Sequence, residues 1–268
     1  MSILAYMRAS LIREENGIKN IRHNFYYLMA LVFFLISVAT KQNTATLPFI
    51  LFLLDKTLHK SLPTKEQAVY AAPFLIIPAA IAIPMLLIPA FNSGGLSYLE
   101  TTRSLANLEG STSLTYLATE LQVFLLYIKL FLIPLNLKLD YAFPIVSSIA
   151  TFKNLLFLTI NLMILFAVFR IREKKPILFL GTLWFYLSLI VESTIIPLDP
   201  IFEHRLYFPI IGLILALSAV SPRATYKGTK IAIFSIFITL GILTWQRNEL
   251  WRNPVAFTED NAVKTPHS

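Results

Sequence analysis

The sequence contains six long apolar stretches, and they constrain the fold more than any other feature. Each of the six is uncharged throughout. A helix that crosses a bilayer needs about 20 mostly apolar residues, with a lower limit near 17. Flanking residues lengthen the shorter stretches to this range, so we predict an all-α, polytopic transmembrane helix bundle. The stretches are 25–40, 71–91, 154–169, 176–191, 206–222 and 231–246.

Composition supports a membrane protein and argues against several other classes. Hydrophobic residues make up 56% of the 268 residues and charged residues only 14%, against about one quarter charged residues in soluble domains. The formal net charge of +8 comes from basic residues scattered singly in short loops, so we expect the lipid bilayer and no nucleic acid as a partner. The absence of cysteine excludes disulfides and thiolate chemistry. No motif for a cofactor is visible, and a divalent metal has no support in the sequence.

Two further segments leave the number of membrane segments between six and eight. Segment 44–54 is short for a full crossing. Segment 120–135 carries Lys129 and a mixed polar face, which is typical of a helix at the interface or of a re-entrant helix. Segment 71–91 contains four prolines. In a membrane this predicts a kinked span, because neighbouring helices can satisfy the freed carbonyl groups.

Basic residues are unevenly divided between the two sets of loops. The positive-inside rule assigns the richer set to the cytoplasm. Loop 192–205 and the tail from Arg247 then lie on the external face. We expect a bacterial inner membrane, with these loops and the C-terminus in the periplasm. The richer set holds fourteen of the 23 Lys and Arg residues, namely Arg8, Arg13, Lys19, Arg22, Lys56, Lys60, Lys65, Arg170, Arg172, Lys174, Lys175, Arg223, Lys227 and Lys230.

The densest charged motif, PLDPIFEHRLYFP at 197–209, lies in an external loop. Asp199 and Glu203 are four residues apart across a proline, which predicts a turn that leads into a helix. One hypothesis is a site for a phosphate-bearing ligand, in which Arg205 binds phosphate in a bidentate fork and a neighbouring group moves a proton. The other is structural, with Arg205 paired to Glu203 or Asp199 at a helix end. The candidate residues are Glu203, His204, Arg205 and Tyr207.

Other polar residues in external loops are weaker candidates. Glu192 follows an apolar stretch directly and lies at or below the interface, where a carboxylate needs a partner or a raised pKa. Asp199 belongs to the motif itself, and Asp140 and Tyr141 precede Pro144 in an external turn. Lys41 lies between two apolar runs, where it either lines a polar cavity or marks the outer surface.

Four segments of the chain resemble polytopic membrane proteins that carry C-terminal tetratricopeptide repeats. They are ISVATKQNTATLPFILFLLD, LLYIKLFLIPLNLKLDYAFP, ESTIIPLDPIFEHRLYFPIIG and the tail WQRNELWRNPVAFTEDNAVKTPHS. Together they run from about Phe34 to the C-terminus, and EHRLYFP is the most specific. These proteins include the eukaryotic transmembrane and tetratricopeptide-repeat O-mannosyltransferases and are similar to the GT-C superfamily of glycosyltransferases.

The resemblance implies a GT-C-like fold, a polyprenyl-phosphate sugar donor and a protein or glycan acceptor at the external face. It implies a transmembrane domain at 1–246 and an external tail at 247–268 that leads towards repeats. The family's acidic first external loop and its repeats have no counterpart here, and Gln42 replaces the usual Glu. We therefore expect a truncated chain. Within the motif, the resemblance carries over Glu203, His204, Arg205 and Tyr207, with Glu192, Asp140 and Tyr141 as weaker matches and no catalytic residue identified.

Three functional hypotheses follow. The first is a membrane glycosyltransferase, active or a truncated inactive fragment. The second is a non-catalytic membrane scaffold, or an anchor for a repeat domain. The third is part of a transporter, with Glu192 and Lys41 along its path, although no pair of broken helices in matching halves is visible.

Overall fold

A computed structural model describes residues 1–58, 63–87, 112–139, 141–190, 193, 200–221 and 227–265 of the chain. Within these ranges the regular structure is entirely helical, which confirms the all-α class for the described residues. Two short 3₁₀ segments, Gln42–Thr46 and Glu203–Tyr207, accompany the α-helices. The α-helices are α1 (Ser2–Asn16), α2 (Ile21–Thr40), α3 (Leu47–Leu58), α4 (Thr64–Leu87), α5 (Ser113–Leu132), α6 (Phe152–Arg170), α7 (Pro176–Leu189), α8 (Pro209–Val220), α9 (Lys227–Arg252) and α10 (Pro254–Lys264).

The helix boundaries follow from local chemistry. Asn20 precedes α2, and its side chain accepts a hydrogen bond from the Arg22 N–H at 2.9 Å. Thr112 caps α5, and Asn253 caps α10. Such caps satisfy N–H groups that have no partner within the first helical turn. Gly17 ends α1 at a φ of 78°, a conformation that glycine adopts without steric cost.

Helix lengths and hydropathy support an integral membrane protein. Among the described residues, four helices are long and apolar enough to cross a membrane, and α7 and α8 are shorter apolar helices. The predicted stretch 71–91 falls on α4, whose described part ends at Leu87, so Pro89 lies outside the described residues. The kink, the total of six to eight segments and the GT-C-like arrangement stay predictions. The four long helices are Ile21–Thr40, Leu114–Leu132, Phe152–Arg170 and Gly228–Arg252.

The first four helices and α7 share one apolar core. The α1 and α2 helices pack as an antiparallel pair, and the Ser2 hydroxyl donates to the Ala30 carbonyl at 2.8 Å. Phe34 of α2 contacts Phe74 of α4 with 5.5 Å between ring centroids. Trp184 of α7 joins the same cluster. The N-terminal region, whose basic residues the positive-inside rule assigned to the cytoplasmic side, therefore contains a helix that lies beside α2.

A buried ion pair lies inside this core. The Arg13 guanidinium is 3.1 Å from an Asp55 carboxylate oxygen, and both side chains are less than one tenth exposed. Tyr6 and Ser10 donate to the two oxygens of that carboxylate, at 2.9 Å and 2.7 Å. The ring of Tyr70 lies 3.9 Å from the guanidinium. The charge pattern of the sequence predicts a loop position for Arg13, whereas the structure places it in a buried network.

The second core joins α5, α7 and α8. Phe124 of α5 contacts Phe185 of α7 at 6.3 Å between ring centroids, and Leu213 of α8 lies in the same cluster. The α7 and α8 helices approach so closely at Gly181 and Gly212 that a Cβ atom on either glycine would clash with the backbone of the other helix. Small residues at a crossing point allow this backbone contact.

The α5 helix begins earlier than predicted and is long enough to cross a membrane. Side chains of α5 form hydrogen bonds with the segment that follows the helix. The Thr119 hydroxyl accepts from the Val146 N–H at 3.0 Å, and Gln122 donates to the Asn154 side chain at 2.6 Å. The connection to α6 thus returns alongside α5. The interfacial or re-entrant orientation of 120–135 stays a prediction.

Candidate functional site

The EHRLY motif forms the 3₁₀ segment Glu203–Tyr207, which leads through Phe208 into α8 at Pro209. This confirms the predicted turn into a helix for the described part of the motif. A 3₁₀ segment has about three residues per turn, so its consecutive side chains point in different directions. Glu203, His204 and Arg205 accordingly have different surroundings.

A cavity of about 560 Å³ opens beside this segment. Its walls come from the start of α1, the last turns of α2, the 3₁₀ segment Gln42–Thr46 and the 3₁₀ segment Glu203–Tyr207. The cavity therefore combines aliphatic and aromatic walls with three basic side chains. It is lined by Met1, Ser2, Ile3, Phe33, Ile36, Ser37, Thr40, Lys41, Asn43, Thr44, Leu47, His204, Arg205, Tyr207 and Phe208.

Arg205 is held firmly at the wall of the cavity. Its side chain is buried, and its guanidinium lies 5.1 Å from the centre of the Phe202 ring. Its backbone N–H donates to the Phe202 carbonyl at 3.1 Å. The Tyr127 hydroxyl donates to the same carbonyl at 3.0 Å, which ties the segment to α5. Packing therefore holds the Arg205 side chain at the cavity wall.

His204 and Tyr207 line the same cavity from more exposed positions. The His204 ring stacks on Phe202 with 5.1 Å between centroids and 24° between planes. Tyr207 is 80% exposed. Both side chains are therefore more exposed to solvent than Arg205, although all three line the cavity.

Lys41 enters the cavity from the other half of the chain. It follows α2 directly in an extended conformation, and its carbonyl accepts from the Thr44 hydroxyl at 2.7 Å. Of the two positions that the sequence left open, the structure places Lys41 at the cavity wall beside Thr40 and Asn43. Lys41 and Arg205, which are far apart in the sequence, thus line the same cavity.

Glu203 faces a neighbouring loop and is not among the described residues that line the cavity. One of its carboxylate oxygens accepts from the Lys138 N–H at 2.7 Å and from the Tyr141 hydroxyl at 2.9 Å. No ion pair between described residues joins Glu203 to Arg205. The predicted Glu203–Arg205 pair is therefore wrong, because the carboxylate binds the loop instead. The alternative pair of Arg205 with Asp199 stays a prediction, since Asp199 lies outside the described residues.

The loop that Glu203 holds has a strained backbone on both sides. Asn136 and Ala142 have φ angles of 56° and 41°. A non-glycine residue in this region costs about 1–3 kcal/mol and persists only where surrounding contacts fix it. Burial and the adjacent negative charge of Glu203 raise the pKa of Tyr141, so its hydroxyl remains a donor at neutral pH. The bonds to Glu203 supply two of the contacts that fix this loop.

The C-terminal tail binds the same loop. The Lys138 ammonium donates to the Lys264 carbonyl at 2.7 Å, and the Leu139 N–H donates to the Asn261 side chain at 2.9 Å. Lys264 in turn donates to the Leu137 carbonyl at 3.2 Å and pairs with Asp260 at 2.7 Å. A chain of hydrogen bonds therefore joins α10 through the loop to Glu203.

Three weaker candidates, Glu192, Asp199 and Asp140, lie outside the described residues. Among the residues that the structure does describe, no three His, Asp or Glu side chains form a group that could hold a metal ion. The buried pair Arg13 and Asp55 was missed as a unit. The only sequence signal for it was an acid that ends the apolar run LPFILFLLD.

Comparison of the chain with protein-family models, curated proteins and solved structures found no match.

Proposed function

We propose that the chain is a GT-C-type membrane glycosyltransferase module that transfers a sugar from a polyprenyl-phosphate donor to a protein or glycan acceptor at the external membrane face. The observation that supports this best is the composition of the cavity wall. Lys41 and Arg205 provide positive charge for a phosphate, while Phe33 and Ile36 provide an apolar surface for a prenyl chain. A lipid-linked phosphate requires both in one place.

The same residues suit the chemistry of glycosyl transfer. The acceptor hydroxyl oxygen forms a bond to the anomeric carbon as the bond from that carbon to the phosphate oxygen breaks. The polyprenyl phosphate leaves with the bonding electron pair, and Arg205 and Lys41 stabilise its negative charge. The hydroxyl proton passes to a base. His204 suits this role because it lines the cavity and a neutral imidazole ring has one nitrogen that can accept a proton.

The central experiment measures both donor binding and sugar transfer in proteoliposomes. The probes are a polyprenyl phosphate for binding and a labelled polyprenyl-phosphate sugar for transfer. We expect Arg205→Ala and Lys41→Ala to weaken binding and to lower transfer by about 10²–10³-fold, which is typical for the loss of one preorganised donor at a developing negative charge.

Lys153→Ala is the matched control. Lys153 is an exposed basic residue at the start of α6 and is not part of the cavity wall, so its loss should leave binding and transfer unchanged. Undiminished transfer and binding by Arg205→Ala would reject the proposed site. An equal loss in Lys153→Ala would indicate that only net charge matters.

A membrane anchor without catalytic activity is the second candidate, and the tail supports it. The bonds from Asn261 and Lys264 to residues 137–139 fix the direction in which the chain leaves the membrane domain. A fixed exit would orient a following domain. Donor binding by the wild-type chain, lost in Arg205→Ala, would favour the transferase. The absence of any donor binding by the wild-type chain would favour the anchor.

A further inference from the structure

A second polar cavity lies at the opposite end of α2 from Lys41. It has a volume of about 590 Å³ and is formed between α1 and the first turns of α2. We call it the Arg8–Arg22 groove. The residues used below are Arg8, Ile12, Asn16, Arg22, Phe25 and Tyr26, all of which line it.

The groove is built on two helix faces that the hairpin fixes against each other. Arg8, Ile12 and Asn16 are spaced four residues apart on α1, and Arg22 and Tyr26 have the same spacing on α2. Side chains at this spacing share one face of a helix. The turn at Gly17 and the Asn20 cap close the end of the groove.

The two guanidinium groups differ from Arg13, the third arginine nearby. Arg13 is buried and neutralised by Asp55. Arg8 and Arg22 are exposed, and neither forms an ion pair with another described residue. Among the described residues that line the groove, Glu15 is the one carboxylate against two arginines, so this lining has a net positive charge.

Exposed apolar side chains continue from the groove along α2. Phe25 is 60% exposed and Leu28 is 61% exposed, and both lie on a helix that is long and apolar enough to cross a membrane. The positive charge is therefore found where such a helix begins, beside a surface suited to acyl chains. Basic pockets between membrane helices at the cytoplasmic side are suited to anionic lipid headgroups.

We propose that the Arg8–Arg22 groove binds the headgroup of an anionic membrane phospholipid, with the two guanidinium groups on its phosphate and the acyl chains along Phe25 and Leu28. Arginine pairs suit phosphate because the planar fork donates two parallel hydrogen bonds. A neutral zwitterionic lipid carries its own ammonium group, so its headgroup should bind the two arginines less tightly. The groove is separate from the cavity that Lys41 and Arg205 line at the other end of α2.

The test uses the full chain in vesicles of phosphatidylcholine with spin-labelled phosphatidylglycerol or spin-labelled phosphatidylcholine as probes. We expect the wild-type chain to select phosphatidylglycerol. In the double variant Arg8→Ala/Arg22→Ala, the preference for phosphatidylglycerol over phosphatidylcholine should fall at least about tenfold. The conservative variant Arg8→Lys/Arg22→Lys should retain part of it, because the charge remains while the fork is lost.

Arg170→Ala/Lys174→Ala is the matched control. These two basic residues are exposed near the end of α6, at the start of the short loop to α7, and lie outside the groove. The control should bind lipid as the wild type does. Thermal unfolding measures whether the wild type and the Arg8→Ala/Arg22→Ala variant are both folded. Equal lipid preference in these two folded chains would overturn the proposal. Displacement of the lipid by millimolar glycerol phosphate would indicate a site for a soluble anion and would also overturn it.

Discussion

Among single residues, Arg13 and Asp55 form a buried ion pair with a structural role. The pair is nearly inaccessible to solvent, and Tyr6 and Ser10 satisfy the carboxylate further. Removing one partner of a buried ion pair leaves an uncompensated charge, which costs about 3–5 kcal/mol. The pair therefore links α1 to α3 through a contact that neither helix can replace by itself.

We expect Asp55→Asn to lower the free energy of unfolding by about 3–5 kcal/mol, because Arg13 stays buried and charged without its counter-ion. Arg13→Met in addition to Asp55→Asn should recover part of this loss, since the stranded charge is removed and the oxygen of the new amide can still accept from Tyr6 or Ser10. Thermal unfolding in detergent micelles measures both.

The control for that experiment is Arg252→Ala. Arg252 pairs with Glu249 at 3.0 Å, but both side chains are more than half exposed, and an exposed pair contributes at most about 1 kcal/mol. If Asp55→Asn cost no more than Arg252→Ala, the network would be a consequence of the fold rather than a support of it.

At the scale of elements, the contact between α7 and α8 determines where the EHRLY segment lies. The two helices flank that segment in sequence and touch at Gly181 and Gly212. Trp184 also donates its indole N–H to the Phe208 carbonyl at 3.1 Å, directly after the segment. Separation of the two helices would therefore move Arg205 relative to Lys41.

Gly212→Ala should lower the free energy of unfolding by about 1–3 kcal/mol, because its new Cβ has no room against Gly181 and Phe185. It should also weaken binding of the polyprenyl phosphate. Gly241→Ala in α9 is the comparison, since a Cβ there meets nothing within 4 Å. That variant should be neutral or more stable by roughly 0.5–1 kcal/mol, from the better helix propensity of alanine. Identical unfolding of the two variants would contradict the packing argument.

At the scale of the whole molecule, the two ends of the helix bundle carry different chemistry. One end holds the cavity lined by Lys41 and Arg205 and the bonds between α10 and loop 137–139. The other end holds the Arg8–Arg22 groove. The distribution of basic residues predicts that the cavity end is external. The α9 helix is apolar and has no buried residue over its hydrophobic window, as expected of a helix whose surroundings are lipid.

Labelling with a membrane-impermeant thiol reagent tests this orientation, because the native chain contains no cysteine. We expect Tyr207→Cys to react in intact spheroplasts, since Tyr207 is 80% exposed at the cavity mouth. Lys174→Cys, in the short loop after α6, should react only after lysis. The reverse pattern would reject the orientation and the external location of the cavity at Lys41 and Arg205.

Hydropathy along the chain predicts an all-α membrane protein and the course of most of its helices. The apolar stretches fall on helices because hydropathy and backbone hydrogen bonding act over consecutive residues, whatever the rest of the chain does. The EHR motif and Lys41 were also visible in the sequence as polar residues in costly surroundings. What the sequence left open was which of them face each other.

The contacts of the charged side chains depend on how the helices pack. Glu203 is two residues from Arg205 in sequence, yet it binds Lys138 and Tyr141, while Arg205 shares a cavity with Lys41. In the sequence, Arg13 is one of fourteen basic residues assigned to the cytoplasmic side. In the structure, it forms an ion pair with Asp55 of α3. Such pairings depend on how helices pack, and packing is set by the fit of many side chains at once. No local pattern of charge or hydropathy encodes that fit.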